Sequence, residues 1–317
     1  MRTALLLYLL PLALVLGCAA GQDGLRIESP YREPTTLAKG DILHLKTGRL
    51  LSEAELLDYL APFSVVYVGE SHDSADDHAV ELAVLRGLAE RFPGKVALGV
   101  EMLKKPSQKE ADAFVRGEMD EKAFQKVWLK NWNDYFHYRE IIEFVRANRI
   151  PLIALNVDDD LKKAFRVKGS EGLEPERRKE LPQLDLDDPY HKAFIDGIMG
   201  GHAKGSKDPD VFYRVQALWD ETMAQTAADY LRSPEGQGRH LVVFAGGNHV
   251  RYGFGIPRRV FRRVPAPYVI VEPYVNPTLV KVPEEKQMDV EIPFMPMPSA
   301  DVYWSVDYRD LEDQRVM

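Results

Sequence analysis

From about Leu50 onward, short apolar runs alternate with longer stretches in which apolar residues recur every three or four positions. Ser64-Val65-Val66-Tyr67-Val68 precedes a helical pattern over Ala75 to Arg91, which leads to Val96-Ala97-Leu98-Gly99-Val100. Helical patterns follow over Ser107 to Val115, Glu121 to Leu129 and Tyr138 to Ala147, and Pro151 to Leu155 is the next apolar run. A long helix is predicted from Phe212 to Tyr230, feeding the run His240 to Ala245, and Pro267 to Glu272 adds one more. Uninterrupted apolar runs read as strands buried on both faces, and their alternation with amphipathic helices is the rhythm of a parallel sheet. The expected fold class is α/β: a mostly parallel central sheet flanked by helices, in one domain over residues 51–276.

Three segments stand outside this alternation. Residues 18–50 are rich in Gly, Pro and Thr and read as a tether ending in an edge hairpin around His44 to Arg49. Residues 168–209 are charged and Gly/Pro-rich around a short helical piece, His191 to Met199, which makes them an insertion suited to a lid or to partner binding. Residues 277–317 form a C-terminal extension, Pro- and Met-rich through Ile292 to Pro298, expected as an extended edge wrapping the domain.

Composition narrows the function classes. With 45% hydrophobic and 28% charged residues the chain is not globally disordered, and a net charge of −8 argues against a nucleic-acid partner. A single cysteine excludes an internal disulfide framework and a multi-cysteine zinc site. That cysteine closes an export-signal layout: Arg2, an apolar run from Ala4 to Leu16 that is too short to span a bilayer, then Val15-Leu16-Gly17-Cys18. The end of this stretch resembles the lipobox of bacterial lipoproteins, which implies removal of residues 1–17 and a lipid on the Cys18 thiol; the alternative is a plain signal peptide. Ala19, in place of Asp, resembles the pattern sent to the outer membrane, so a periplasm-facing anchored domain is expected.

Polar residues follow each predicted strand: Gly69-Glu70-Ser71-His72-Asp73, then Glu101, then Asn156, then Gly246-Gly247-Asn248-His249. In a parallel sheet these ends share one edge, where open α/β sheets hold their ligands. Imidazole with carboxylate suits a divalent metal ion or acid–base work, which makes His72, Glu101 and His249 candidate metal ligands and Glu70, His72, Glu101 and His249 candidate catalytic groups. Helix N-termini after His72 and His249 are expected to favour an anion or depress an imidazole pKa. His78, six residues past His72, is either a further ligand or a solvent-facing histidine.

Val68-Gly69-Glu70-Ser71-His72-Asp73, Gly99-Val100-Glu101-Met102, the Trp132/Tyr135 segment, Gln216 with Asp220 to Ala224, and Gly246 to Gly253 with Gly255-Ile256-Pro257-Arg258 resemble the ChaN-like haem-binding lipoproteins. These belong to the wider group of Tiki/TraB proteins and erythromycin esterases, and the resemblance spans roughly Leu50 to Glu272. It implies haem as cofactor, a role in haem or iron acquisition, a homodimer enclosing the haem and a tyrosine oxygen on each iron. The wider group implies a metal-dependent hydrolytic site instead, with Glu70, His72, Glu101 and His249 as its working residues. No local motif selects the tyrosine. Tyr135 and Tyr138, in an aromatic cluster with Trp132, Phe136 and His137, come first; Tyr252 and Tyr213 follow, and His191 and His202 are possible distal covers. Arg251, Arg258, Arg259, Arg262 and Arg263 form a basic cluster that would pair with haem propionates or face anionic lipid. Two departures from the family pattern stand out: Asp76-Asp77-His78 where paired histidines are common, and Leu103-Lys104-Lys105 where an aromatic and Arg are common.

Overall fold

The computed structural model describes residues 34–199, 208, 210–278, 295 and 297–307. Cys18 with the whole of 1–33, His202 and residues 292–294 of the Pro/Met run lie outside the described residues.

The hairpin comes first, as β1 (Ile42–His44) and β2 (Arg49–Leu51). Next is α1 (Glu53–Leu60), which starts at a capping box: the Ser52 hydroxyl accepts from the Glu55 N–H while the Glu55 carboxylate accepts from the Ser52 N–H. The alternation read from the sequence then unfolds as β3 (Val65–Glu70), α2 (Ala75–Arg91), β4 (Val96–Lys104), α3 (Gln108–Arg116), α4 (Glu121–Asn131), α5 (Arg139–Ala147) and β5 (Leu152–Asn156). Past β5 come α6 (Asp159–Lys168), α7 (Pro175–Arg178), α8 (Pro189–Met199) and the long α9 (Val211–Arg232). The chain returns through β6 (His240–Gly246), the single turn α10 (Gly247–Val250), α11 (Ile256–Arg263), β7 (Tyr268–Val275) and β8 (Val302–Val306).

All eight strands form one sheet in the order β2-β1-β8-β7-β3-β6-β4-β5. From β8 across to β5 every neighbouring pair is parallel, and the β1/β2 hairpin is antiparallel to β8. The mostly parallel α/β domain expected from the apolar runs is what the chain forms. Alternate strand residues feed opposite faces, as a period of two requires. Val66, Val68, Leu98, Val100, Val242 and Phe244 pack with residues of α2 to α5, including Leu85, Leu88, Phe114, Trp128, Ile141 and Val145. Tyr67, Ala97, Val243 and Ala245 face the other way, against Met223, Ala224 and Ala227 of α9 and Ile256 and Val260 of α11. Burying both faces is why these strands carry no polar alternation.

Two elements lie where the pattern did not point. The segment after Asn276 gives the sheet a strand, β8, seated between β7 and β1, so the C-terminal extension is in part structural. In addition, β4 runs on past Val100 to Lys104, with its register against β5 shifting between those residues. Glu101 therefore sits inside an irregular strand and not at its end, and such a shift re-aims side chains beside it.

Candidate functional site

The connections set where a site can form. From β3 the chain steps over to β4 and β5, then comes back to insert β6 between β3 and β4, before leaving to the other side through β7. Open α/β sheets bind ligands at such a reversal, beyond the C-terminal strand ends. A cavity of about 500 Å³ opens there, lined by His72, Glu101, Lys104, Trp132, Lys162, Gln216, Trp219, Gly246, His249 and Arg251 among others. This size falls within the range of small-molecule sites. A hollow of about 560 Å³ between α6 and the segment Lys179 to Gln183 is larger and holds none of these imidazoles.

The polar side chains of the cavity form a line. His72 Nδ1 lies 2.8 Å from Glu70 Oε1, and His72 Nε2 lies 3.9 Å from Glu101 Oε1. The same Glu101 oxygen is 3.3 Å from His249 Nε2, and His249 Nδ1 is 2.6 Å from Asp220 Oδ1. Asp220 Oδ2 continues to His191 Nε2 at 3.0 Å. Backbone groups hold the line in place: the Gly246 N–H donates to Glu101 Oε2 at 2.8 Å, and Asn156 Nδ2 donates to the Glu101 carbonyl at 2.9 Å. Gly246 lets the His72 ring lie close to the strand, because a Cβ at that position would come within 2.9 Å of His72 Nε2 and push the ring aside. His72 is the exposed member, with 37% of its side chain open against 7% for Glu101 and His249 and none for Asp220.

Charge in this line runs opposite to the helix-dipole expectation. Burial disfavours the His72 cation, but the charge and hydrogen bond of Glu70, with Glu101 behind, outweigh it and raise His72 to about 9. His249 is likewise opposed by burial and lifted to about 10 by Glu101 and Asp220. The carboxylates move the other way. Asp220 and Glu101 sit below the ordinary carboxylate range because the His249 charge overcomes their burial, and Glu70 does so because of His72 and His78. Both imidazoles are therefore cations at neutral pH, interleaved with carboxylates. Any helix-terminus effect is outweighed by charges 3 to 4 Å away.

Residues 56–260 match the family described as haem-binding uptake, Tiki superfamily, ChaN. The chain belongs to that family. Among solved structures its fold is similar to that of the ChaN of Campylobacter jejuni, a structure described as showing cofacial haem binding to that protein, with a TM-score of 0.59 and 15% identity, covering 83% of this chain and 95% of that one. It is also similar to an erythromycin esterase mutant, EreC, in its open conformation (TM-score 0.44, 11% identity, 70% and 72% of the two chains). The type III effector HopBA1 aligns at a TM-score of 0.39 and 10% identity, over 81% and 94%. No curated protein matches the sequence.

In this ChaN-family chain, Glu70, His72, Glu101 and His249 all reach the one crevice, though in distinct positions. The Glu70 side chain is fully enclosed, with its oxygens held by His72, His78 and the Tyr138 hydroxyl, which donates at 3.0 Å. It acts on the crevice through His72. His78 is buried, so the solvent-facing alternative falls. Among the described residues, the group whose possible ligand atoms all lie within 4.8 Å of one another is Glu70, His78 and Glu81, whereas His72, Glu101 and His249 are strung along a line.

The aromatic and basic candidates divide. Trp132 forms one wall, its ring centroid 4.7 Å from that of His72, and Trp219 stands beside His249. Tyr135 and Tyr138 are enclosed, at 3% and 1% exposure, so neither offers its oxygen to a ligand in this structure. Tyr213 is buried too. Tyr252 is half-buried, stacked on Phe254, and lines a separate hollow with Tyr268 and Met297. The basic cluster is not a free surface: Arg258 pairs with Asp188, Arg259 and Arg263 with Glu221, and Arg262 with Asp185 and Glu221. Arg251 lines the crevice while pairing with Glu272. His191 is a backing residue and not a cover, since it is fully buried and meets Asp220 from behind.

Asp220 is the member of the line that sequence reasoning named without giving it a place in the site. Its signal is the pair Gln216 and Asp220, one helical turn apart on α9, on a helix that also buries Ala217, Leu218, Met223 and Ala224. Gln216 Nε2 lies 3.0 Å from His249 Nδ1, so both face one imidazole.

Proposed function

We propose that this protein binds haem at the mouth of the His/Glu crevice and serves haem or iron acquisition from the cell envelope, held there by a lipid on Cys18. The family match over residues 56–260 carries this reading. The crevice supports it chemically: Trp132 and Trp219 offer flat apolar walls, and Lys104, Lys162 and Arg251 sit at the rim where carboxylates of a porphyrin would pair. Arg251 is the best placed of the five arginines expected for that role, since Arg258, Arg259, Arg262 and Arg263 pair with Asp188, Asp185 or Glu221 and are not among the residues that line the crevice. Cofacial haems, as in the Campylobacter jejuni relative, need two porphyrins face to face, which two copies meeting at their mouths would provide. No helix among the described residues is long and apolar enough to cross a membrane.

Titration of the purified protein with hemin tests this, following the Soret band and the oligomeric mass together. A stoichiometric band with dimer formation is expected, and Trp132→Ala should weaken binding about tenfold, the loss of about 1.4 kcal/mol of stacking. No stoichiometric band would overturn the reading.

One observation favours a second, hydrolytic reading: the imidazoles of His72 and His249 flank a single Glu101 oxygen, and each has a further carboxylate behind it. The His249 cation would polarise a carbonyl, and His72, the exposed member, would exchange the proton, acting as a base on the alkaline side of its raised pKa. Hydrolysis of an ester and peptide panel that falls at least a hundredfold in His72→Ala and in His249→Ala is the expected result. Hydrolysis indifferent to both changes sinks it.

A further inference from the structure

Behind His72, on the side away from the crevice, lies a second group of polar side chains. Glu70 and Glu81 have no exposed side-chain surface, and His78 has 6%. His78 Nδ1 is 3.0 Å from Glu70 Oε2 and 2.9 Å from Glu81 Oε2. Its other nitrogen, Nε2, is 3.2 Å from the His72 carbonyl. A carbonyl only accepts, so Nε2 carries the hydrogen. The neutral ring then turns the lone pair of Nδ1 toward two carboxylates.

Three acceptors facing one another need a positive species between them. A proton on Nδ1 supplies one N–H to two oxygens. It leaves Glu81 Oε1 as it stands now, buried and with no hydrogen-bond partner. Among the described residues no lysine or arginine pairs with Glu70 or Glu81. Asp77, also buried, adds a third carboxylate nearby, its oxygens already taken by Ser74 and the Ser71 N–H. The His72 cation offsets one of these three carboxylates from the crevice side, and the other two leave more buried negative charge than a single proton on His78 balances.

We propose that Glu70, His78 and Glu81 hold a divalent first-row transition-metal ion. One imidazole with two carboxylates is an ordinary donor set for zinc, manganese or ferrous iron. Ligand atoms about 2.0–2.2 Å from a shared ion sit roughly 3 Å or a little more apart, close to the separations seen here. The surroundings match a ligating histidine, whose second N–H is normally given to a carbonyl or carboxylate that fixes the ring. Tyr138 fixes Glu70 in the same way. The ion would stand one residue behind His72 and share Glu70 with it, so its charge would loosen the hold of Glu70 on His72. This site is separate from the line His72, Glu101 and His249 and does not depend on whether the crevice takes haem.

The test uses the full protein, stripped with a chelator and then dialysed against Zn²⁺ or Mn²⁺ alone. One ion per chain is expected. Glu81→Gln, which keeps the side chain's shape, should weaken binding at least tenfold, while His249→Ala should leave it unchanged. Cobalt(II) in the unaltered protein reports the ligands without any substitution: a single paramagnetically shifted imidazole N–H marks His78 alone. No stoichiometric ion, or two shifted imidazole N–H signals with loss of binding in His249→Ala, would overturn the proposal.

Discussion

Replacing Asp220 by alanine is expected to cost about 3–5 kcal/mol, lowering the thermal midpoint by on the order of 10 °C. The side chain is fully buried, with His249 on one oxygen at 2.6 Å and His191 on the other at 3.0 Å. Removing it leaves a buried imidazolium without its partner, which costs more than the net worth of the pair. The sign of the pH dependence follows from the same residues. Asp220 is depressed below its ordinary 3.8, so its contribution is present above that value and is lost as pH falls through the depressed one. His249 is raised from 6.5 to about 10, so its contribution is complete below 6.5 and fades as pH climbs from 6.5 toward 10. Denaturant unfolding of the wild type between pH 3 and 10 should therefore show a broad maximum between about pH 4 and 6.5, with a decline toward pH 10, that is flattened in Asp220→Ala. A loss of under about 1 kcal/mol at pH 7, with the pH profile unchanged, would contradict this account.

The second large effect belongs to Glu221. One carboxylate holds three arginines, with Arg259 Nε at 3.0 Å, Arg262 at 2.9 Å and Arg263 at 2.7 Å, and it also accepts the Asp185 N–H at 3.1 Å. Arg259 is itself wholly enclosed, reaching the Gly255 carbonyl and His191 Nδ1. Glu221→Ala leaves that guanidinium buried without its carboxylate, and a loss of about 3–5 kcal/mol or failure to fold is expected. Because Asp185 belongs to the insertion, hydrogen exchange should also rise across residues 181–188 well before the sheet opens. Glu118→Ala is the control: its pair with Arg116 is exposed on both sides and screened by solvent, so its loss should leave the thermal midpoint almost unchanged. Equal effects from Glu221→Ala and Glu118→Ala would refute the assignment.

These two positions show what a single sequence reveals and what it conceals. The parallel strands were legible because burial on both faces leaves a contiguous apolar run, as in Val65 to Val68 and Leu241 to Phe244. The two Gly-x-x-His turns were legible because a glycine at a strand end has few other uses. Asp220 and Glu221 were harder to read, since adjacent acidic residues in a long helix resemble a solvated face. They are buried because α9 is covered by α11 and by the insertion, neither of which leaves a local mark. The arginines of α11 misled for the same reason. Their partners Asp185, Asp188 and Glu221 lie tens of residues upstream, so no short-range spacing announces the pairing. Strand β8 escaped notice because its alternating Val302-Tyr303-Trp304-Ser305-Val306 is brief and follows a stretch of prolines. Tyr138 resembled a ligand because it sits among aromatics, whereas three-dimensional context makes its hydroxyl a donor to Glu70.

Strand β8 also dictates the order in which the molecule can be finished. Among the described residues, the hairpin of β1 and β2 is hydrogen-bonded into the sheet through β8, although the two are some 260 residues apart along the chain. While the protein is being made, β7 must wait with an open edge and the hairpin must wait with no strand to join, until residues 302–306 arrive. Early segments therefore stay uncommitted for nearly the whole of synthesis. A ribosome stalled short of residue 302, or a protease that trims the tail to that point, would open the edge of β7 and free the hairpin beyond it, while the β5 end of the sheet stays as it is.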